Sequence, residues 1–384
     1  MKVYFDNAAT TQIHPKVIEV INKYLKEEFG NPSSIHSFGR RTRVLIEESR
    51  DIIANFIGAD PSEIYFTSGG TEANNFTIFG IAKANFTESK RNKIIVSKAE
   101  HHSVYDAAEE LNSQGFDSEF VGVDKFTKVN ANKLDDLLDD NTSLISLIHI
   151  NNETGSINEI ASLAEKSKKN NIYIHTDAVQ SLAKIPINVK DMNVDSLTAS
   201  AHKINGPKGI GFTYVKSGTP IIPLIYGGSQ ERNRRGGTEN VAAIAGFAEA
   251  IKIAESKMGD NYQHVKNLKN AFVKGIQEID QPGIRINGGQ DAIPYILSIT
   301  FISDFYRNDA EAILIYLDIH GIAVSNGAAC TSGTFKPSHV ILASGYSEED
   351  ARGTIRFSFS AQNTLEEVNY TLDVLNKLTK KIRK

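Results

Sequence analysis

Lys203 is the side chain in this sequence best placed to act as a nucleophile. It stands in the run Ser200, Ala201, His202, Lys203, Ile204, Asn205, Gly206, Pro207, Lys208, Gly209, which follows one short apolar stretch and precedes another. An amine just past a strand end, with turn residues behind it, suits attack on a carbonyl and formation of a Schiff base. In water such an amine titrates at about 10.4, so it becomes nucleophilic at neutral pH when desolvation or a neighbouring cation lowers that value. His202 and Lys208 are the neighbours that the sequence sets beside it. A lysine next to a tight turn is more often merely solvated, and other motifs must decide between the two readings.

Cys330 is the second candidate. It is the single cysteine of the chain, which excludes an intramolecular disulfide and any multi-cysteine metal site. A free cysteine is commonly a small buried hydrophobe, but Cys330 sits among Ser325, Asn326, Gly327, Ala328, Ala329, Thr331, Ser332 and Gly333, without apolar periodicity.

The elements that must hold these groups are legible in the alternation of apolar runs. Residues 64–67 read as a strand and run into Ser68, Gly69, Gly70, Thr71, Glu72, Ala73 and Asn74, which open a helix. A glycine-rich turn at a helix N-terminus offers free N–H groups and the positive end of the helix dipole to a phosphate. It lacks the ending of an NTPase loop and the three-glycine spacing of a dinucleotide fingerprint. Further strands are predicted at 94–97, 119–123, 144–150, 172–175 and 196–199, with 210–215 returning antiparallel. Helices between them make this a doubly wound, mostly parallel sheet, in which ligands bind at the carboxyl edge. His101, Asn152, Asp177, Gln180 and Lys203 all follow strand ends on that edge.

Before the sheet, Pro15 starts an amphipathic helix carrying Val17, Ile18, Ile21, Tyr24 and Leu25, flanked by loops at 6–11 and 30–36. After the sheet, a turn-rich segment at 226–240 precedes an alanine-rich helix that the pattern ends near Lys257. The expected division is a large domain over 15–257 and a smaller α/β domain formed by 1–14 with 258–384.

Composition narrows the class. A chain of 384 residues, 40% hydrophobic, buries a large core and has room for two domains. Its formal net charge of −4 comes from interspersed acids and bases, so no basic face addresses nucleic acid or anionic lipid. No apolar run reaches the length of a membrane span, and the start meets Asp6 before any signal-like segment, so residence in the cytoplasm is expected.

A Schiff-base lysine, an aspartate, a histidine able to stack on a ring, a phosphate turn and a glutamine on one sheet edge are the parts of a pyridoxal phosphate site. Here the chain resembles the cysteine desulfurases of the class V aminotransferase group, over nearly its whole length. The motifs at 6–11, 30–36, 151–155, 175–180, 200–209 and 327–332 fall in family order. The resemblance implies a fold type I enzyme: a large domain with a mostly parallel seven-stranded sheet between helices, plus a smaller C-terminal α/β domain. It implies that Lys203 forms the internal Schiff base, that Asp177 pairs with the pyridinium nitrogen, that His101 stacks on the ring and that Gln180 bonds the phenolic oxygen. Phosphate would be held by Gly70, Thr71, Ser200 and His202, and by Thr238 from the other subunit of a homodimer. Asn152 would serve both cofactor and substrate, and Arg356 would bind the substrate carboxylate, a task suited to a bidentate guanidinium.

The implied reaction converts L-cysteine to L-alanine and leaves the sulfur on Cys330 as a persulfide, with His101 helping to charge the thiol. The sulfur then passes to an acceptor protein, an iron–sulfur scaffold or a tRNA-thiolation protein. The chain departs from the family after Arg356, where a glycine and a basic residue are frequent and this chain has Phe357, Ser358, Phe359, Ser360, Ala361 and Gln362, and at Asn326 and Ala328, where serines are frequent. The competing readings are another class V aminotransferase or a selenocysteine lyase, which would share Lys203 and Asp177, and a nucleotide-binding regulatory protein using the Gly69–Gly70 turn.

Overall fold

Residues 1–327 and 336–384 are described by a computed structural model. In it the alternating segments form a seven-stranded sheet. The order across it is Ile64–Thr67, Gly211–Val215, Ser196–Ser200, Tyr173–Asp177, Thr142–Ile148, Lys93–Ser97 and Asp117–Val121. The last five are parallel to one another. Gly211–Val215 runs antiparallel to both of its neighbours, as expected for the returning strand. Thr142–Ile148, Lys93–Ser97 and Ser196–Ser200 are buried at every position, as strands sandwiched between helices must be.

Two strands are displaced from their sequence-based positions. The predicted 119–123 lies at Asp117–Val121, and the predicted 144–150 at Thr142–Ile148. Polar side chains hid the start of the latter: Thr142 Oγ1 donates to Asp139 Oδ1 and Ser143 Oγ to the Lys93 carbonyl, so both are buried with partners. Its apparent end, Ile150, has left the strand and bridges to Ile157.

A second, antiparallel sheet has the order Thr354–Ser358, Ile296–Phe301, Ile284–Asn287. Beside it Val3–Tyr4 pairs in parallel with Ile322–Ala323. The N-terminal residues thus belong to this side of the molecule: Val3, Phe5 and Ala8 pack in one core with Phe272, Ile299 and Phe357.

The helix predicted to end near Lys257 continues without a break, as Val241–Asp280. Its first half gives Ile244, Phe247 and Ile251 to the core under the large sheet, and its second half gives Val265, Leu268, Phe272 and Ile276 to the other core. Around Gly259 the sequence is polar and contains no local reason to stay helical. Packing at both ends supplies that reason. Helix Ser37–Ile57 was not expected either. His36 caps it by accepting the Gly39 N–H, left-handed Gly58 closes it at φ 70°, and its inner face mixes Ile46, Ile53 and Ile57 with buried Ser49 and Arg50, which blurs the apolar stripe. No helix among the described residues is long and apolar enough to cross a membrane.

Arg50 explains a strained turn. Glu231, Arg232 and Asn233 are consecutively left-handed, at φ 43°, 55° and 62°, which costs on the order of 1–3 kcal/mol for each side-chain-bearing residue. Arg50 clasps Glu231 with both terminal nitrogens, at 2.8 and 3.0 Å, and the Phe66 N–H donates to the same carboxylate at 2.8 Å. The turn is therefore held from below by the edge of the large sheet. Arg50→Ala is expected to destabilise the protein by about 3 kcal/mol, since it leaves Glu231 buried without its cation. Denaturant unfolding measures this, and an unchanged midpoint would show that the turn is held otherwise.

Candidate active site

Strand Ser196–Ser200 ends in a single 3-10 turn, Ala201–Lys203, that carries the lysine back over the sheet edge. The close return needs Gly206, because a Cβ there would stand 2.8 Å from the Cβ and carbonyl oxygen of Ala201. Lys203 Nζ donates to the carbonyls of Ala8 and Ala9 at 2.6 and 2.7 Å. Burial lowers its pKa to about 8, assisted by repulsion from Arg356 and opposed by Asp177 and Asp6. The amine is thus poised as the sequence required, with one correction. The depressing cation is Arg356 from the far sheet, and His202 and Lys208 do not fill that role. His202 is itself pushed down to about 4, by burial and then by Lys203 and Lys208, so it is a neutral ring.

Asp177 closes strand Tyr173–Asp177 and is buried. Its Oδ2 accepts from Asn74 Nδ2 at 2.8 Å and its Oδ1 from the Val179 N–H at 2.9 Å, so the carboxylate is fixed in orientation. Asn74 was missed in the sequence. It lies four residues into the helix Gly70–Ser89, on the same face as Gly70, and that spacing was the available signal.

His101 caps helix His102–Ser113. Its Nδ1 accepts the Ser103 N–H at 3.1 Å and is 2.8 Å from Ser103 Oγ, whose neighbour is again Asn74 Nδ2 at 2.8 Å. Burial lowers the pKa of His101, with Asp177 opposing and Lys203 assisting. With Nδ1 accepting from the backbone, the neutral ring carries its proton on Nε2. Gln180, also buried, donates through Nε2 to the Ala8 carbonyl at 2.9 Å.

These groups line one cavity of about 350 Å3 with Gly70, Thr71, Asn152, Ser200, His202 and Arg356. Gly69, at φ 152°, turns the chain into the helix, and the Ser68 N–H is taken by Glu72 Oε2. The amides of Gly70 and Thr71 in the first turn face the orphan-donor end of the helix. Arg356, in strand Thr354–Ser358, binds the Asn152 carbonyl at 2.9 Å and Asp6 Oδ1 at 3.0 Å. Its Nε and the side-chain oxygen of Asn152 are buried and have no hydrogen-bond partner among the described residues.

Two buried carboxyls on this cavity were not expected from the sequence. Glu100 is pushed up to about 8 by burial and by Asp177, against hydrogen bonds from Ser97 Oγ and the Ile148 N–H. Glu153 is raised by burial and accepts from Ser338 Oγ. Of the remaining expected residues, Thr238 is exposed and outside the residues that line this cavity. Cys330 lies outside the described residues.

An amine brought below its ordinary range, an oriented carboxylate, a flat neutral histidine and a helix N-terminus around one cavity at the carboxyl edge of a mixed sheet define a pyridoxal phosphate enzyme of fold type I. The comparisons make the class more specific: the chain belongs to the class V aminotransferase family, whose model matches residues 3–371. It is 44% identical to the cysteine desulfurase IscS of Dictyoglomus turgidum, over 100% of this chain and 95% of the relative. A NifS-like protein of known structure superposes with a TM-score of 0.91 at 35% identity, covering 100% of both chains. SspA, solved in complex with cysteine, gives a TM-score of 0.81 at 32% identity, covering 94% of this chain and 100% of that one.

The state of Lys203 sets a pH dependence. The neutral amine is the reactive form, so lowering the pKa from 10.5 to about 8 raises the reactive fraction at pH 7.5 roughly two-hundredfold. Covalent loading of cofactor-stripped protein with pyridoxal phosphate is expected to accelerate as pH rises and to level off above about pH 8. Absorbance at each pH follows it, and acceleration continuing to pH values near the ordinary range of lysine would show an amine still in contact with water.

Proposed function

We propose that this protein is a pyridoxal phosphate-dependent cysteine desulfurase that releases L-alanine from L-cysteine and retains the sulfur on Cys330 as a persulfide. The observation that carries the reading is the meeting of Lys203, desolvated and beside Asp177, with two unpartnered buried groups, Arg356 Nε and Asn152 Oδ1, on one cavity. An unsatisfied buried polar group costs about 1–3 kcal/mol, and an amino-acid ligand presenting a carboxylate and an amine would satisfy both.

The cavity fits the cofactor. At about 350 Å3 it falls within the size of small-molecule sites. Gly70 keeps its floor open, since a Cβ there would approach Val179 Cγ2 to 2.9 Å. Lys203 would hold the cofactor covalently, Asp177 its ring nitrogen, His101 its ring face and Gln180 its phenolic oxygen. Gly70, Thr71, Ser200 and neutral His202 would hold the phosphate, joined by Thr238 of the partner subunit. Bound there, pyridoxal phosphate supplies an electron sink for the pair released at the substrate Cα.

The chain's own residues do the rest. Arg356 and the Asn152 Nδ2 amide orient the substrate carboxylate, both as donors. Lys203, near neutral in pKa, takes the Cα proton and returns it. His101, neutral with its proton on Nε2, would donate that N–H to the Cys330 sulfur and so stabilise its thiolate form. The thiolate sulfur takes up the substrate sulfur: a C–S bond breaks, an S–S bond forms, carbon keeps the electron pair and is protonated to alanine, and the transferred sulfur is oxidised to the sulfane level. The sum is cysteine plus enzyme thiol to alanine plus enzyme persulfide, with no external oxidant. The persulfide would then pass to an acceptor protein, an iron–sulfur scaffold or a tRNA-thiolation protein, in the cytoplasm, where thiols stay reduced.

A homodimer is part of the reading. Phe29, Ile35 and Tyr226 are 75%, 91% and 77% exposed in the single chain, and a partner subunit would cover them. Thr238→Ala is expected to loosen cofactor retention several-fold while the subunit fold is kept. Dialysis of the dimer measures this, and unchanged retention, or full activity in a monomer, would remove the shared site.

Cys330→Ser is expected to bind cofactor as the native protein does, because Lys203 and Asp177 remain, and to lose alanine release from L-cysteine. In the native protein mass spectrometry should find one added sulfur on Cys330. Undiminished alanine release from the variant would assign the chain to the aminotransferase or selenocysteine lyase reading instead, and lost cofactor would make Cys330 structural.

A further inference from the structure

The roles above leave Lys184 without a task, although it is 7% exposed and its ammonium nitrogen lies 2.8 Å from Gln180 Oε1. Among the described residues it has no carboxylate within ion-pair distance, and its other close neighbour is the Tyr295 ring, 5.7 Å from Nζ to the ring centre. Burial, assisted by repulsion from Lys203 and Arg356, lowers its pKa to about 7. A buried amine without a counter-ion is an expensive way to fill space, where an apolar side chain of equal length would do.

What Lys184 touches is the orienting half of a carboxamide. The two ends of a glutamine amide are nearly equal in size and differ in whether they donate or accept. Gln180 Nε2 donates to the Ala8 carbonyl at 2.9 Å, and Lys203 Nζ donates to that same carbonyl at 2.6 Å. Turned over, the amide would set its oxygen against the Ala8 oxygen and its N–H2 against the Lys184 ammonium, two mismatches at once. An ammonium has donors and no acceptor, so only Oε1 can face it. Lys184 therefore keeps the N–H of Gln180 on the side of Lys203, where the cavity lies.

We propose that Lys184 is a positioning residue that, by holding Gln180 Oε1, presents the Gln180 N–H as a fixed donor to the phenolic oxygen of the cofactor. This rests on the assignment of Gln180 made above. A second cavity, of about 310 Å3, touches Lys184, Lys203 and Ala8 from the other side. Water there can replace a lost donor in part, which keeps the expected effect moderate.

The test is a double-mutant cycle on the cofactor-loaded protein. Lys184→Met, Gln180→Ala and the combined variant are compared with the native protein by cofactor dissociation constant and by the absorption maximum of bound cofactor at one pH. Lys184→Met is expected to weaken cofactor binding about tenfold, the worth of one oriented hydrogen bond, and to shift the absorption band in the same direction as Gln180→Ala. If Lys184 works through Gln180, the combined variant is no weaker than Gln180→Ala alone. Additive losses would overturn the proposal, as would native behaviour of Lys184→Met while Gln180→Ala is impaired. Native behaviour of Gln180→Ala would instead show that the assignment of Gln180 is wrong, and the role of Lys184 would fall with it. Thermal unfolding checks each variant, and Lys184→Leu serves in its place if Lys184→Met does not fold.

Discussion

An amine partly withdrawn from water is the constraint on which this structure turns. Lys203 can be a nucleophile near neutral pH because its ammonium form is penalised by burial, yet a buried amine must still find acceptors. Those acceptors are the carbonyls of Ala8 and Ala9, far away in sequence. The N-terminal loop therefore has to be pinned across the sheet edge, and it is. Thr11 Oγ1 and N–H both donate to the His202 carbonyl, the His14 N–H donates to that of Asn205, and the Asn205 N–H donates to Thr11 Oγ1. On its other side Asn7 Nδ2 donates to the Ser358 carbonyl and the Ala8 N–H to Ser358 Oγ. One short loop thus ties the lysine turn of the large sheet to the strand that carries Arg356.

The same loop settles the electrostatics. Asp6, at its start, pairs with Arg356, so the guanidinium that repels the Lys203 ammonium is itself held by a carboxylate. Asp177 pulls the other way from the far wall. The lysine sits between these opposing fields, and burial is the largest cause of its lowered pKa.

Polar groups of the site fall into two sets. Those that orient others are bonded to one another: Asn74 Nδ2 serves Asp177 and is joined to Ser103, which in turn positions His101. On the residues that line the cavity, Arg356 Nε, Asn152 Oδ1, Glu100 Oε2 and Asn74 Oδ1 have no hydrogen-bond partner among the described residues. A bonded orienting network behind unpartnered atoms is the arrangement a ligand site needs, since the network must not move when those atoms acquire partners.

What the sequence by itself determined was local. Strand ends, the glycine turn before residue 71, the capping at His101 and the turn that carries Lys203 all follow from period, turn residues and caps within a few positions. The assignment of Lys203, Asp177, His101 and Gln180 to one edge came from that local order together with the rule for doubly wound sheets. Only the tertiary structure decided which cation depresses Lys203, that Asn74 supports Asp177, that Glu100 and Glu153 are buried, and that a polar stretch around Gly259 stays helical. The reason is the same in each case. Charge–charge terms, desolvation and the pairing of buried polar groups depend on distance in space, and Arg356 and Ala8 meet Lys203 across more than a hundred residues of chain.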